Sequence, residues 1–214
     1  GRIRDFHQDV IESFDRHASL ASEIWRHDTE RGLRRLIAYV ESQPYGDRVV
    51  GYHLACGGTE EWFFWGSCEG VYTDYSQPNV QRWRQWLRDH YQTTEALSEA
   101  WHWPNVQWDQ PGIPGLVERH TTPWGRLRMP EVNQGVLDYL IYQSDLTVDT
   151  ITHFARVVKE ETGGTKVTGA YYGYYLQLCG EFRQQNAGHL ALNRLLSRPE
   201  LDMVSLETSD GSDH

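Results

Sequence analysis

Apolar side chains recur at helical spacing over residues 22–43, at Trp25, Leu33, Leu36, Ile37 and Val40, so one stripe can face a core while the charged residues between them stay in water. Ser22 carries an oxygen able to cap the first turn and Pro44 cannot continue a helix, so both ends are marked. Residues 48–56 follow as a compact β-prone run closed by Gly57-Gly58, the pattern of a buried parallel strand. Ser76-Gln77-Pro78 then gives cap and first-turn signals for a helix over about 79–100, with Val80, Trp83, Leu87, Tyr91 and Leu97 on one face. Periodicity fades across 101–131, which holds Pro104, Pro111, Pro114, Pro123 and Pro130 together with Trp101, Trp103, Trp108 and Trp124, and reads as a long excursion. Helical spacing returns over 132–161 through Val136, Leu140, Val148, Ile151, Ala155 and Val158, as one helix or two, and stops at Gly163-Gly164. A second strand is predicted at 166–172, opening into Gly173-Tyr174-Tyr175, then a short helix at about 186–196 and a third strand at 202–206.

Strands separated by helices, with no hairpin turns between them, pair in parallel through right-handed crossovers. Three strands do not close a barrel. An open doubly wound sheet and an arc of a (β/α)8 barrel both fit this order, and the sequence has neither GxGxxG nor GxxxxGK[ST] to favour a nucleotide fold. At 214 residues a single domain is the default expectation.

Charge and composition narrow the partners. Asp and Glu number 30 against 20 Lys and Arg, a formal net charge of −10, and the basic residues are scattered, which argues against nucleic acid or an anionic membrane surface. Nine Trp and twelve Tyr include several in polar or loop-like surroundings, where their faces can stack on sugar rings, although each can equally be core. Cys56, Cys68 and Cys179 form no CxxC pair, so a disulfide framework and a thiolate zinc site are not indicated and a reducing, cytoplasmic setting is favoured. No apolar run is long enough for a membrane span, and the first residues do not read as a secretory signal. The histidines show neither HExxH nor close ligand spacing, which makes a metal-dependent hydrolase the weakest reading; no metal and no cofactor are expected.

The densest chemistry lies in Gly57-Gly58-Thr59-Glu60-Glu61-Trp62, where the first predicted strand ends and its loop begins. Barrel enzymes place catalytic groups at such strand ends. Breaking a glycosidic bond requires a proton for the leaving oxygen, and an apolar neighbour such as Trp62 could help a carboxyl group keep one. Neighbouring side chains in an extended segment point opposite ways, so Glu60 and Glu61 should not share one role. The plain alternative is a pair of solvated loop glutamates.

Residues 51–63, Asp74-Tyr75-Ser76 and Trp83-Arg84-Gln85-Trp86-Leu87 resemble clan A glycoside hydrolases, especially β-galactosidase-like proteins near family 42. Residues 169–174, 188–192 and 199–202 continue the resemblance in the expected order. It implies an incomplete TIM barrel, about strands 4 to 6 with their helices, spanning 1–214 with 101–131 as an excursion at the mouth. By the same resemblance Glu61 is the general acid/base of a retaining mechanism, and the nucleophile belongs to a seventh strand outside this chain. Trp62 and Glu60, beside Glu61, are candidate substrate-binding residues, as are Tyr172 and Tyr174, which lie where the second predicted strand opens into its loop and could hydrogen-bond sugar hydroxyls or equally be buried tyrosines that pack. The partner is a carbohydrate substrate, no cofactor is needed, and an oligomer of a full-length parent is left open. The sequence departs from the family in having Glu60 where an Asn precedes the acid/base Glu. Glu207, which follows the third predicted strand, is the one late strand-end carboxylate that could serve as a second catalytic group. The alternative reading is a non-catalytic carbohydrate-binding or pseudo-enzyme barrel.

Overall fold

The computed structural model of the protein describes residues 17–58, 60–68, 70–120, 128–174 and 185–206; Cys179 and Glu207 lie outside them. Helix α1, Glu23–Glu41, starts where expected, with the Ser22 side chain accepting from Trp25 N. A single 3-10 turn, Gly46–Arg48, delivers the chain to β1, Gly51–Leu54. Strand β2, Val167–Tyr171, lies beside β1, and β3, Met203–Ser205, beside β2, both pairs parallel, in the order β1-β2-β3.

Alternation along these strands decides what each face does. Leu54, Ala170 and Val204 face the helices and join one apolar cluster with Ile37 of α1 and with Val148, Ile151, Phe154, Ala155 and Val158. His53, Met203 and Ser205 point to the opposite face, where the His53 ring lies 4.3 Å from that of Tyr171 and Met203 stays 46% exposed. Helices therefore cover one face of the sheet among the described residues.

The covering element is α5, Pro130–Glu161, one continuous helix of 32 residues that packs on α1, β1 and β2. Its length follows from Pro130 in the first turn, where a missing N–H costs nothing, and from the absence of a breaker before Gly163. Its buried hydroxyls find partners within the helix: Ser144, Thr147, Thr150 and Thr152 donate to the carbonyls of Leu140, Gln143, Leu146 and Val148, one turn back.

The predicted 79–100 helix is two helices, α2 (Gln77–Tyr91) and α3 (Thr94–Trp101). Gln92 adopts φ +64°, which breaks the ladder, and Thr93 restarts it by accepting from Ala96 N. Two sequence signals mark the break: the wide gap from Tyr91 to Leu97 on the apolar face, and a threonine followed by Glu95 in the first turn. Among its described residues the excursion forms a short helix, α4 (Leu116–His120), and in the region of the predicted 186–196 helix the chain is helical at Gln185-Asn186 and again in α6, Leu192–Leu196. A second core joins α2, α3 and α5, where Trp83 is fully buried and its ring stacks 5.5 Å from Trp86 and 6.1 Å from Trp101. Asp138 is buried there as well, satisfied by Tyr91 Oη at 2.6 Å, Trp101 Nε1 at 2.7 Å and Gln134 Nε2 at 2.7 Å.

Candidate active site

The loop after β1 doubles back on itself. Trp62 N donates to Cys56 O at 2.6 Å and Gly58 N to Phe63 O at 2.9 Å, so the segment is held at both ends by its own backbone. Gly57 makes the turn possible: its φ is +80°, and a Cβ there would sit 2.5 Å from Phe63 O. Glu60 and Trp62 also take positive φ, 67° and 64°, uncommon for residues with a Cβ and placed on either side of Glu61. This backbone sends the neighbours of Glu61 in different directions. Glu60 is exposed, whereas Trp62 is 2% exposed.

Glu61 is half-buried, and its Oε1 accepts from Tyr174 Oη at 2.9 Å. Tyr174 comes from the exit of β2, past the end of the strand at Tyr171, so the contact joins the loops of two neighbouring parallel strands. A phenolic hydroxyl both donates and accepts, so it can stay bonded to a carboxyl group whether or not that group carries a proton. Around this pair the Phe63 ring lies 5.3 Å from Tyr174 and 4.7 Å from the ring of His189. His189 is 1% exposed, stacks 4.4 Å from Tyr172, and accepts from Gly173 N through Nδ1 at 3.1 Å. Burial pushes its imidazole down to about 3, outweighing the backbone of Trp62 and Glu61, whose hydrogen bonding favours the protonated ring.

Of the residues expected to meet substrate, Tyr174 hydrogen-bonds Glu61. Trp62, expected as the apolar wall of the carboxyl, is instead part of the core: it packs with Phe154 of α5, and its Nε1 donates to Leu54 O at 2.9 Å. Tyr172 is fully buried as well, donating to Gly188 O at 2.9 Å and accepting from Ala191 N at 3.2 Å. Both rings hold the loops in place from beneath.

Two residues around the site were not legible as such. The sequence makes His189 a core or capping histidine, which describes its burial and misses its bond to the Tyr174 turn. Arg119 lies in the excursion with no motif around it, yet is 3% exposed. It donates to Thr73 O at 2.9 Å and Asn186 Oδ1 at 2.6 Å, and its guanidinium lies 4.7 Å over the Tyr72 ring and 4.9 Å over that of Tyr139. It thereby ties the excursion to the β1 loop and to Asn186, next to Ala187, whose carbonyl accepts from Phe64 N at 2.8 Å. A separate groove of ≈ 430 Å³ between α3 and the start of α5 is lined by Trp101, Trp103, Ile113 and Asn133 and takes no residue from the Glu61 loop. Among the described residues no three of His, Cys, Asp or Glu gather as a metal site, and no helix is long and apolar enough to cross a membrane.

Glu61, with Tyr174 from the next strand upon it, lies at the C-terminal ends of adjacent parallel strands, the face on which TIM-barrel enzymes carry their active sites. The sequence matches the profile of glycoside hydrolase family 42, beta-galactosidase, over residues 15–194. The chain belongs to that family. Its fold is similar to the beta-galactosidase from Bacillus circulans sp. alkalophilus, with a TM-score of 0.67 at 18% identity, covering 100% of this chain and 27% of that one. The beta-galactosidase of the Antarctic haloarchaeon Halorubrum lacusprofundi gives 0.64 at 20% identity, covering 100% and 28%. The catalytic domain of beta-amylase from Paenibacillus polymyxa gives 0.71 at 13% identity, covering 94% and 51%. The family 42 chain thus spans about a quarter of the length of the galactosidases it matches, and its three parallel strands correspond to part of a TIM-barrel catalytic domain. No curated protein sequence matches it.

Proposed function

We propose that this chain is the segment of a retaining, β-galactosidase-like glycosidase that supplies the general acid/base, Glu61. Its strands β1, β2 and β3 are then the fourth, fifth and sixth of the barrel, and the sheet face carrying His53, Met203 and Ser205 is the barrel interior. The observation that carries the reading is the Tyr174–Glu61 hydrogen bond at the C-terminal ends of adjacent parallel strands. In the reaction Glu61 protonates the leaving oxygen while a second carboxylate, about 5–5.5 Å away, attacks the anomeric carbon; Glu61 then takes a proton from the water that releases the sugar. Tyr174 follows the carboxyl group through both states, donating to the carboxylate and accepting from the acid. Glu60, exposed next to it, is a candidate for sugar hydroxyls at the rim.

The test uses the full-length protein that carries this chain. Glu61→Ala slows galactosides with poor leaving groups by roughly 10²–10⁴-fold, the usual contribution of a general acid, and activated aryl galactosides far less, because only the former need the proton. Azide restores part of the activity on activated substrates by replacing the water Glu61 would activate. Equal loss on both substrate classes without azide rescue overturns the assignment.

A further inference from the structure

We propose that His189 is the positioning residue of the Glu61 site, holding the turn that presents Tyr174 to the carboxyl group; the proposal rests on the acid/base reading of Glu61. Three observations meet in this ring. Nδ1 accepts from Gly173 N, the residue directly before Tyr174. Gly173 has φ +95°, and a Cβ there would lie 3.0 Å from Leu192, so the turn depends on a conformation few other residues adopt and on a hydrogen bond from its amide. The ring also fills the space between Tyr172, Phe63 and Tyr174, at 4.4, 4.7 and 5.5 Å.

The bond to Gly173 N settles which nitrogen is protonated. An acceptor Nδ1 leaves the proton on Nε2. Nε2 is buried, and hydrogen bonding with the backbone of Trp62 and Glu61 favours the protonated ring without overcoming burial. The Nδ1 edge of the imidazole thus serves the β2 exit. A protonated ring could not accept from Gly173 N, and burial keeps the ring neutral. Among the described residues, the titratable groups brought against the Glu61 loop include Tyr174 and His189, the Cys56 thiol across the Cys56–Glu61 bridge, the Cys68 thiol beside Gly58 and Phe63, and Glu60, exposed beside Glu61 in the chain.

Two substitutions separate positioning from packing. In His189→Asn the amide oxygen occupies the place of Nδ1 and keeps the acceptor; in His189→Gln the amide reaches the place of Nε2 and leaves Gly173 N without one. Each is measured in the full-length protein, alone and with Tyr174→Phe, by kcat and KM on poor-leaving-group and activated galactosides and by the pH profile of kcat/KM. His189→Gln is expected to lower kcat on the poor-leaving-group substrate by up to about 10²-fold, the cost of misplacing a catalytic group by roughly an ångström, with KM nearly unchanged. It should move the basic limb of the profile upward by the same amount as Tyr174→Phe, since in both the carboxylate loses its donor. His189→Asn should restore the limb, and Tyr174→Phe should add nothing to His189→Gln. If Asn and Gln variants give the same limb and the same leaving-group dependence, His189 only packs and the proposal falls while Glu61 stands. If Glu61→Ala itself keeps wild-type kcat, the acid/base reading falls and takes this one with it.

Discussion

His189 also ties the stability of the fold to pH. Its imidazole is held down to about 3 against an ordinary value of 6.5, so below pH 6.5 the unfolded chain takes up a proton that the folded chain refuses. The stabilisation is complete above 6.5 and is lost progressively as pH falls toward 3. His153, also lowered by burial, acts in the same direction. Glu30, lowered by the hydrogen bond from Arg34, and Asp202, lowered by that from Lys159, contribute stability that is lost only below their ordinary values of 4.5 and 3.8. Denaturant unfolding between about pH 7 and 4.5 should therefore show stability already falling, and His189→Asn should flatten that slope by up to about 1.4 kcal/mol per pH unit. An unchanged slope would mean that the ring is not buried as a neutral base. Residue identity alone reveals little of this. Glu61 stood out in the sequence through the family resemblance of the string around it; its place after a predicted strand fits a solvated loop glutamate as well. Trp62 and Tyr172 did not betray their burial, because an aromatic near a glutamate looks the same in sequence whether it turns toward the mouth or the core.

Elements were legible where their boundaries carry chemistry. Ser22 and Pro44 marked α1, and the glycines after 48–56 and at 163–164 marked the end of β1 and of α5. The strands extend over fewer residues than the β-prone runs that signal them, because such residues continue past the last paired one. The α2–α3 break was missed because the apolar face resumes on the far side of Gln92 and the helical period hides a short interruption. Thr93 makes that break testable. Its hydroxyl accepts from Ala96 N at 3.2 Å, so Thr93→Ala should cost about 1 kcal/mol, whereas Thr93→Ser, which keeps the oxygen, should cost only a small part of that. The readout is the midpoint of denaturant unfolding. Equal midpoints for Ala and Ser would show that α3 is held by Leu97 and Trp101 in the second core and not by its cap.

At the scale of the whole molecule the sheet is covered by helices on one face among the described residues, and parallel strands in folded proteins are normally covered on both. The sequence order of helices and strands implied parallel pairing; it did not distinguish an open sheet from a barrel arc, because that difference lies in what packs on the second face. The same asymmetry bears on catalysis. Retention needs two carboxyl groups set against one sugar. Among the described residues leaving the C-terminal ends of the strands, the exit of β2 runs Tyr172-Gly173-Tyr174 and that of β3 begins with Leu206, so neither offers a carboxylate to oppose Glu61. Asp74, farther along the β1 loop, is buried and accepts from Ser76 N at 3.0 Å. Residues 1–214 prepared alone should accordingly show no turnover of an activated aryl galactoside at concentrations where the full-length protein is saturated with it. Absence of turnover in a preparation that still shows the near-ultraviolet circular dichroism of packed tryptophans would place the second carboxylate elsewhere in the protein. Turnover by 1–214 would place a nucleophile within this chain, and its loss in Glu207→Gln with retention in Asp74→Asn would identify which residue it is.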